Sequence, residues 1–257
     1  MSKISAAFAR QKAFIAYLMA GDPDLATSGR LILAAQEAGA DLIEIGIPFS
    51  DPIAEGEVIQ AADIRALDEG THLDGIFQMV ADIQDRVRIP LLFMTYLNPV
   101  FIYGYERFFA HCQDLGISGI ILPDLPFEEQ SEVREVAERF AVDVVTMIAP
   151  TSGSRIRAIA SRATGFIYLV SSMGVTGMRS SITTDLAGLV AEIKKYTQIP
   201  VAIGFGVSTP AQAAEFARIA DGVIVGSAIV NIIAEQGKDS EPALRDYVRS
   251  IKAAISG

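Results

Sequence analysis

Three stretches decide the fold: AGADLIEIG at 38–46, LGISGIILPD at 115–124 and IADGVIVGSA at 219–228. Each reads as a helix end, a turn on glycine or another small residue, and then a short, almost wholly apolar strand. Strands of that composition are buried on both faces, as in a parallel sheet covered by helices. Working outward, the same strand type occurs at 13–19 (AFIAYLM), 41–47 (DLIEIGI), 91–96 (LLFMTY) and 118–122 (SGIIL). It recurs at 143–148 (DVVTMI), 165–170 (GFIYLV), 200–203 (PVAI) and 221–225 (DGVIV). RIPLL at 88–92 and QIPVA at 198–202 introduce the third and seventh strands alike, half a barrel apart.

Between these runs lie stretches with helical spacing, such as Leu31, Ala34, Ala35 and Ala38, or Leu186, Leu189, Val190 and Ile193. Val133, Val136, Ala137 and Phe140 give a third. Eight strand–helix alternations predict an α/β chain folded as one (β/α)8 TIM barrel, a single domain over residues 1–257. An open doubly wound sheet is the alternative, but no glycine fingerprint follows the first strand. Residues around Ala6, Ala7, Phe8 and Ala9 suit an extra N-terminal helix on the barrel floor.

The bulk composition narrows the function classes. A net charge of −10 disfavours nucleic acid and anionic membranes as partners. It leaves room for a small phosphate ester, which backbone amides bind whatever the global charge. A lone cysteine, Cys112, fits a reducing compartment. The start lacks the marks of a signal peptide, and no apolar run reaches the ~18 residues of a membrane helix. A cytoplasmic location is expected. His72 and His111 stand far apart and beside no acidic cluster, so no metal site is expected.

In a TIM barrel the chemistry gathers where strands end and βα loops begin. Period-two alternation along 41–47 puts Ile43, Ile45 and Ile47 against the helices and Leu42, Glu44 and Gly46 inside. A carboxyl there has a raised pKa, which suits a general acid; a structural Glu holding buried amides or an arginine is the other reading. The next loop, IPFSDPIAEGEVIQ, carries Glu55 as a second candidate carboxylate, while Glu57 reads as the opening of a helix. Asp124, between prolines in LPDLP, either reaches substrate or caps a helix. Tyr168 either lines the pocket beside Glu44 or packs as a core tyrosine. SSMGVTGMRSS, with Thr176 and Arg179, has the composition of a lid.

GFGVS at 204–208 and GSAIV at 226–230 place glycine where the seventh and eighth strands turn into helices, the usual phosphate site of a barrel. Gly204, Phe205, Gly206, Gly226 and Ser227 are its candidates. With neither Lys nor Arg present, binding would fall to amides and a helix dipole. The residues therefore point to a phosphate-binding barrel performing acid–base chemistry with two carboxylates and no metal.

GDP at 21–23, LIEIGIPFSDPIAEG at 42–56, PDLP at 123–126, YLVSSMGVTG at 168–177, GFGVS and GSAIV occur in order across nearly the whole chain. Together they resemble tryptophan synthase α chains. The resemblance implies a carbon–carbon lyase that cleaves indole-3-glycerol phosphate to indole and glyceraldehyde 3-phosphate in tryptophan biosynthesis. It implies that Glu44 protonates C3 of the indole ring and that Glu55 stands where the family carries an aspartate facing the indole N–H. Tyr168 and Tyr17 match pocket positions, Thr176 a lid threonine, and Gly177, Gly206, Gly226 and Ser227 phosphate-binding positions. It also implies a β-subunit partner in an α2β2 complex, with pyridoxal phosphate in that partner and no cofactor in this chain. The loops at 51–60 and 98–104 (NPVFIYG), the latter apolar, are the expected docking face.

Two departures stand out. Where the family usually reads Ala-Asp-Gly-Pro, this chain has Ala54-Glu55-Gly56-Glu57, and Ser172 replaces an arginine common in the family. They are expected to lower intrinsic activity and to leave loop ordering to the partner. A stand-alone lyase and a catalytically weak regulatory barrel that activates a β chain are the alternatives.

Overall fold

The computed structural model describes residues 3–9, 11–171, 185–204 and 206–256. Eight parallel strands close a barrel in sequence order. They are β1 (Ala13–Met19), β2 (Leu42–Gly46), β3 (Leu91–Met94) and β4 (Gly119–Ile121). The ring continues through β5 (Asp143–Ile148), β6 (Ile167–Val170), β7 (Val201–Gly204) and β8 (Gly222–Val225), and Ala13 registers with Gly222 to close it. All eight strands lie at the expected places, with ends shifted by up to two residues.

Helices fill the intervals: α1 (Lys3–Ala7), α2 (Leu25–Ala38), α3 (Glu57–Asp68), α4 (Leu73–Ile83), α5 (Leu97–Tyr103) and α6 (Tyr105–Asp114). They continue as α7 (Ser131–Arg139), α8 (Ile156–Ala160), α9 (Leu186–Lys194), α10 (Pro210–Ile219), α11 (Ser227–Gln236) and α12 (Glu241–Ile255). Short polar residues start several of them. Asp24 accepts from the Thr27 N–H at 2.6 Å, and Asp185 from the Gly188 N–H at 2.8 Å.

The expected loop at 98–104 is corrected: residues 97–103 are helix α5. Pro99 sits in its first turn, where its missing N–H breaks no intrahelical bond.

The strand alternation sorts the core into two shells. Ile43, Ile45 and Ile47 face the helices, whereas Leu42 packs inside with Ile15, Leu92, Ile121, Val145, Phe166 and Ile224. From below, fully buried Ile4 of α1 closes the barrel, and Phe8 packs on Phe166 with ring centroids 5.7 Å apart. Burying Ile4 contributes about 1.5–3 kcal/mol.

The shared grammar of the opening motifs has a physical cause. Asp41 accepts from the Phe14 N–H at 2.7 Å and pairs with Lys252 at 2.5 Å. Asp221 accepts from the Val201 N–H at 2.8 Å and pairs with Lys194 at 2.5 Å. In each case an aspartate ahead of a strand ties the strand before it to a helix lysine.

Candidate active site

Glu44 projects from β2 into the barrel and is 1% exposed. Among the described residues neither of its carboxyl oxygens has a hydrogen-bond partner. An ionised carboxylate so placed would lose its hydration without replacement, so burial pushes its pKa up to about 8. The structural reading, a Glu holding amides or a buried arginine, finds no support in these contacts.

Two tyrosines stand beside it. Tyr17 registers with Glu44 across the β1–β2 ladder, and Tyr168 reaches the same interior from β6. Both are buried, and burial together with nearby acid groups raises both phenols well above their ordinary range. They are neutral hydroxyls at neutral pH.

Glu55 lies just ahead of α3 and is 5% exposed, so it does not serve as a solvated helix-opening acid. Exposed Glu57 takes that place as the first residue of α3. The Glu55 carboxyl stands beside Asp63 and the Tyr96 hydroxyl, and both bear on its titration. Burial, then the neighbouring Asp63 carboxyl, hold its pKa well above the usual carboxylate range. Tyr96 also accepts from the Ile53 and Ala54 N–H groups at 3.1 and 2.9 Å, while Asp63 accepts from the Phe49 N–H at 3.0 Å. The segment between β2 and α3 is therefore held over the barrel mouth at both ends by buried side chains.

Asp63 and Tyr96 escaped the sequence reading. Asp63 had a detectable signal: it is the polar member of the buried α3 face otherwise formed by Ile59, Ala62 and Ala66. Tyr96 ends an apolar run, and nothing local separates it from an ordinary core aromatic.

Asp124 was open between two roles, and its observed contact is the capping one. Both carboxylate oxygens accept from the Leu97 N–H at 3.0 Å, at the start of α5.

Of the phosphate candidates, Gly204 ends β7, Gly226 precedes α11, and Ser227 is the first residue of α11. Gly206 has φ +84°, a region that glycine occupies without strain. The two helix starts differ. Thr209 and Gln212 cap α10 reciprocally, while α11 has no side-chain cap. The Ile229 and Val230 N–H groups bond back to the Gly226 carbonyl, so the Ser227 and Ala228 amides precede that ladder. Phe205, Thr176 and Gly177, like Ser172 and Arg179, lie outside the described residues.

Among the described residues no three His, Cys, Asp or Glu side chains gather as a metal set. His72 caps α4 and His111 stacks on Phe77. No described helix is long and apolar enough to cross a membrane.

The fold and site together define a class: a (β/α)8 barrel with a buried acid and a second carboxyl pair at its mouth. A family model described as the tryptophan synthase alpha chain matches residues 5–255. The alpha chain of Lactiplantibacillus plantarum is 49% identical, over 100% of this chain and 97% of that one. Tryptophan synthase of Mycobacterium tuberculosis superposes with a TM-score of 0.91 at 35% identity, covering 100% of this chain and 99% of that one. The tryptophan synthase a2b2 complex of Pyrococcus furiosus supplies a chain with TM-score 0.87 and 37% identity, covering 95% and 98%.

The chain belongs to the tryptophan synthase alpha chain family. Its activity is the carbon–carbon lyase step of that enzyme, the α reaction.

Proposed function

We propose that Glu44 is the acid, and Glu55 the charge-compensating carboxyl, in retro-aldol cleavage of indole-3-glycerol phosphate. The observation that carries this reading is Glu44 itself, a buried carboxyl with both oxygens unengaged and a pKa near 8. Such a group is still protonated at neutral pH, and a pKa close to the working pH lets it give its proton up and take one back.

Transfer of that proton to C3 of the indole leaves positive charge on the ring nitrogen. Glu55 offsets it by becoming ionised as that charge develops. Loss of the glycerol hydroxyl proton then turns C1′–O into a carbonyl, and the C3–C1′ bonding pair returns to the ring. Indole and glyceraldehyde 3-phosphate result. When the Glu44 carboxylate takes up the hydroxyl proton, the acid is restored and the cycle has no net proton change. Tyr17 and Tyr168 shape the indole pocket around this exchange. The α11 start, with Gly226 and Ser227, together with Gly204 and Gly206, holds the phosphate through amides and helix dipole. Thr176 and Gly177 are assigned to the lid and phosphate loops by resemblance, and Phe205 by its place in GFGVS.

The partner in this reading is a β subunit in an α2β2 complex in the cytoplasm, with pyridoxal phosphate belonging to that subunit. The P. furiosus relative is described in such a complex. Ile53, Phe101 and Ile102 are 73%, 63% and 74% exposed, and Tyr96 links the Ile53 loop to the start of α5. A partner covering those apolar side chains would press directly on the segment that carries Glu55.

The test is glyceraldehyde 3-phosphate release from indole-3-glycerol phosphate, with and without β subunit. Turnover that rises with β subunit supports activity and partnership together. Turnover indifferent to it indicates a stand-alone lyase, and none in either condition rejects the catalytic assignment.

A further inference from the structure

Glu55 and Asp63 form a carboxyl pair whose protonation is dictated by its contacts. Two ionised carboxylates are acceptors only and cannot hydrogen-bond to each other. Both side chains are buried beside each other, so a hydrogen bond between them needs a proton on one of the two. Asp63 accepts from the Phe49 N–H at 3.0 Å, which favours charge on Asp63 and leaves the proton with Glu55. Each carboxyl keeps one buried oxygen, Glu55 Oε2 and Asp63 Oδ2, without a hydrogen-bond partner among the described residues.

The groups facing the pair are Tyr17 from β1 and Tyr96, just beyond β3, with Glu44 of β2 on the far side of Tyr17. None of these supplies positive charge, and among the described residues no cation forms a salt bridge to either carboxyl. Two full charges side by side in that setting would repel strongly, whereas one proton held between them leaves a single charge.

We infer that Asp63 is a positioning residue for the lyase step: it shares one proton with Glu55, and the pair as a unit presents one negative charge toward the indole nitrogen. The shared proton can relax toward Asp63 as positive charge develops on the ring, placing negative charge on Glu55 when it is needed. No net proton is consumed. The inference rests on the role proposed for Glu55 and adds Asp63 to it.

The proton is readable without turnover. In Glu44→Gln protein, which lacks the other buried carboxyl without a hydrogen-bond partner, infrared difference spectra at neutral pH should show the C=O stretch of one protonated, deuterium-sensitive carboxyl. Adding Asp63→Asn should abolish that band, because the amide donates to Glu55 and leaves it ionised. Glu55→Gln in the same background should abolish it too, which gives a second reading if the first variant folds poorly. No band in Glu44→Gln protein, or a band that outlasts both substitutions, overturns the pair. In otherwise native protein, Asp63→Ala should lower kcat at least tenfold with little change in KM, and Asp63→Asn should restore most of it. Equal losses in both would overturn the positioning role. Native-chain turnover, measured separately, tells a failure of this inference from a failure of the lyase assignment.

Discussion

The Tyr168 hydroxyl lies where a side chain on Gly204 would have to go: a Cβ built there falls 2.3 Å from the phenol oxygen. Across the barrel Tyr17 does the same to Gly46, at 2.2 Å. In both cases the ring leans over a glycine at the end of the next strand, so the two tyrosines occupy equivalent niches above the barrel core.

Gly204→Ala should therefore displace Tyr168, which is only 4% exposed and has little room to yield. Overpacking of this kind costs about 1–3 kcal/mol. Urea unfolding would measure it, and lyase turnover should fall alongside. Unchanged stability would show that the ring has an alternative seat.

Glu44→Gln should lower kcat about 10²–10⁴-fold, the usual contribution of a general acid. Its effect on stability has a sign. The folded carboxyl titrates near 8 and the unfolded one near 4.5, so between those values the unfolded chain binds fewer protons. Native stability must then fall as pH rises across that window and level off above it. The glutamine variant lacks this slope and should be the more stable protein at pH 8, by up to roughly 5 kcal/mol before structural relaxation reduces the gap. Parallel denaturation curves at pH 5 and pH 8 would reveal it.

Tyr96→Phe removes the acceptor of two loop amides and the hydroxyl beside Glu55. Leaving such groups unsatisfied costs about 1–3 kcal/mol. Hydrogen exchange at Ile53 and Ala54 should accelerate, and kcat should drop about tenfold or more for roughly an ångström of lost placement. Unaltered exchange would mean that the loop is held elsewhere.

Ile102→Glu places a charge on the exposed apolar side of α5. If that side meets the β subunit, affinity should fall about tenfold or more, while turnover of the isolated chain stays put. Titration calorimetry against β subunit separates the two.

The strands were legible because a strand buried on both faces is apolar throughout, and Glu44 because it interrupts such a run with a charge. The pairing of Glu55 with Asp63 was not. It depends on how the segment after β2 folds back over α3, and an aspartate in a helix gives no local sign of its partner. The contact of Asp124 with Leu97 was likewise hidden, because that amide comes from the neighbouring βα unit. Helix α5 was hidden by Pro99, which looks like a breaker unless the first turn is known.

Lys252 and Asp41 meet across 211 positions of chain, beside the seam where β8 joins β1. That seam cannot form until the last unit has been made. While the chain emerges, β1 keeps one flank open, and each newly added strand offers another. Unpaired flanks of this kind template association with other chains. Weakening the lysine–aspartate latch should thus appear first as aggregation during synthesis or refolding, while molecules that do close work normally.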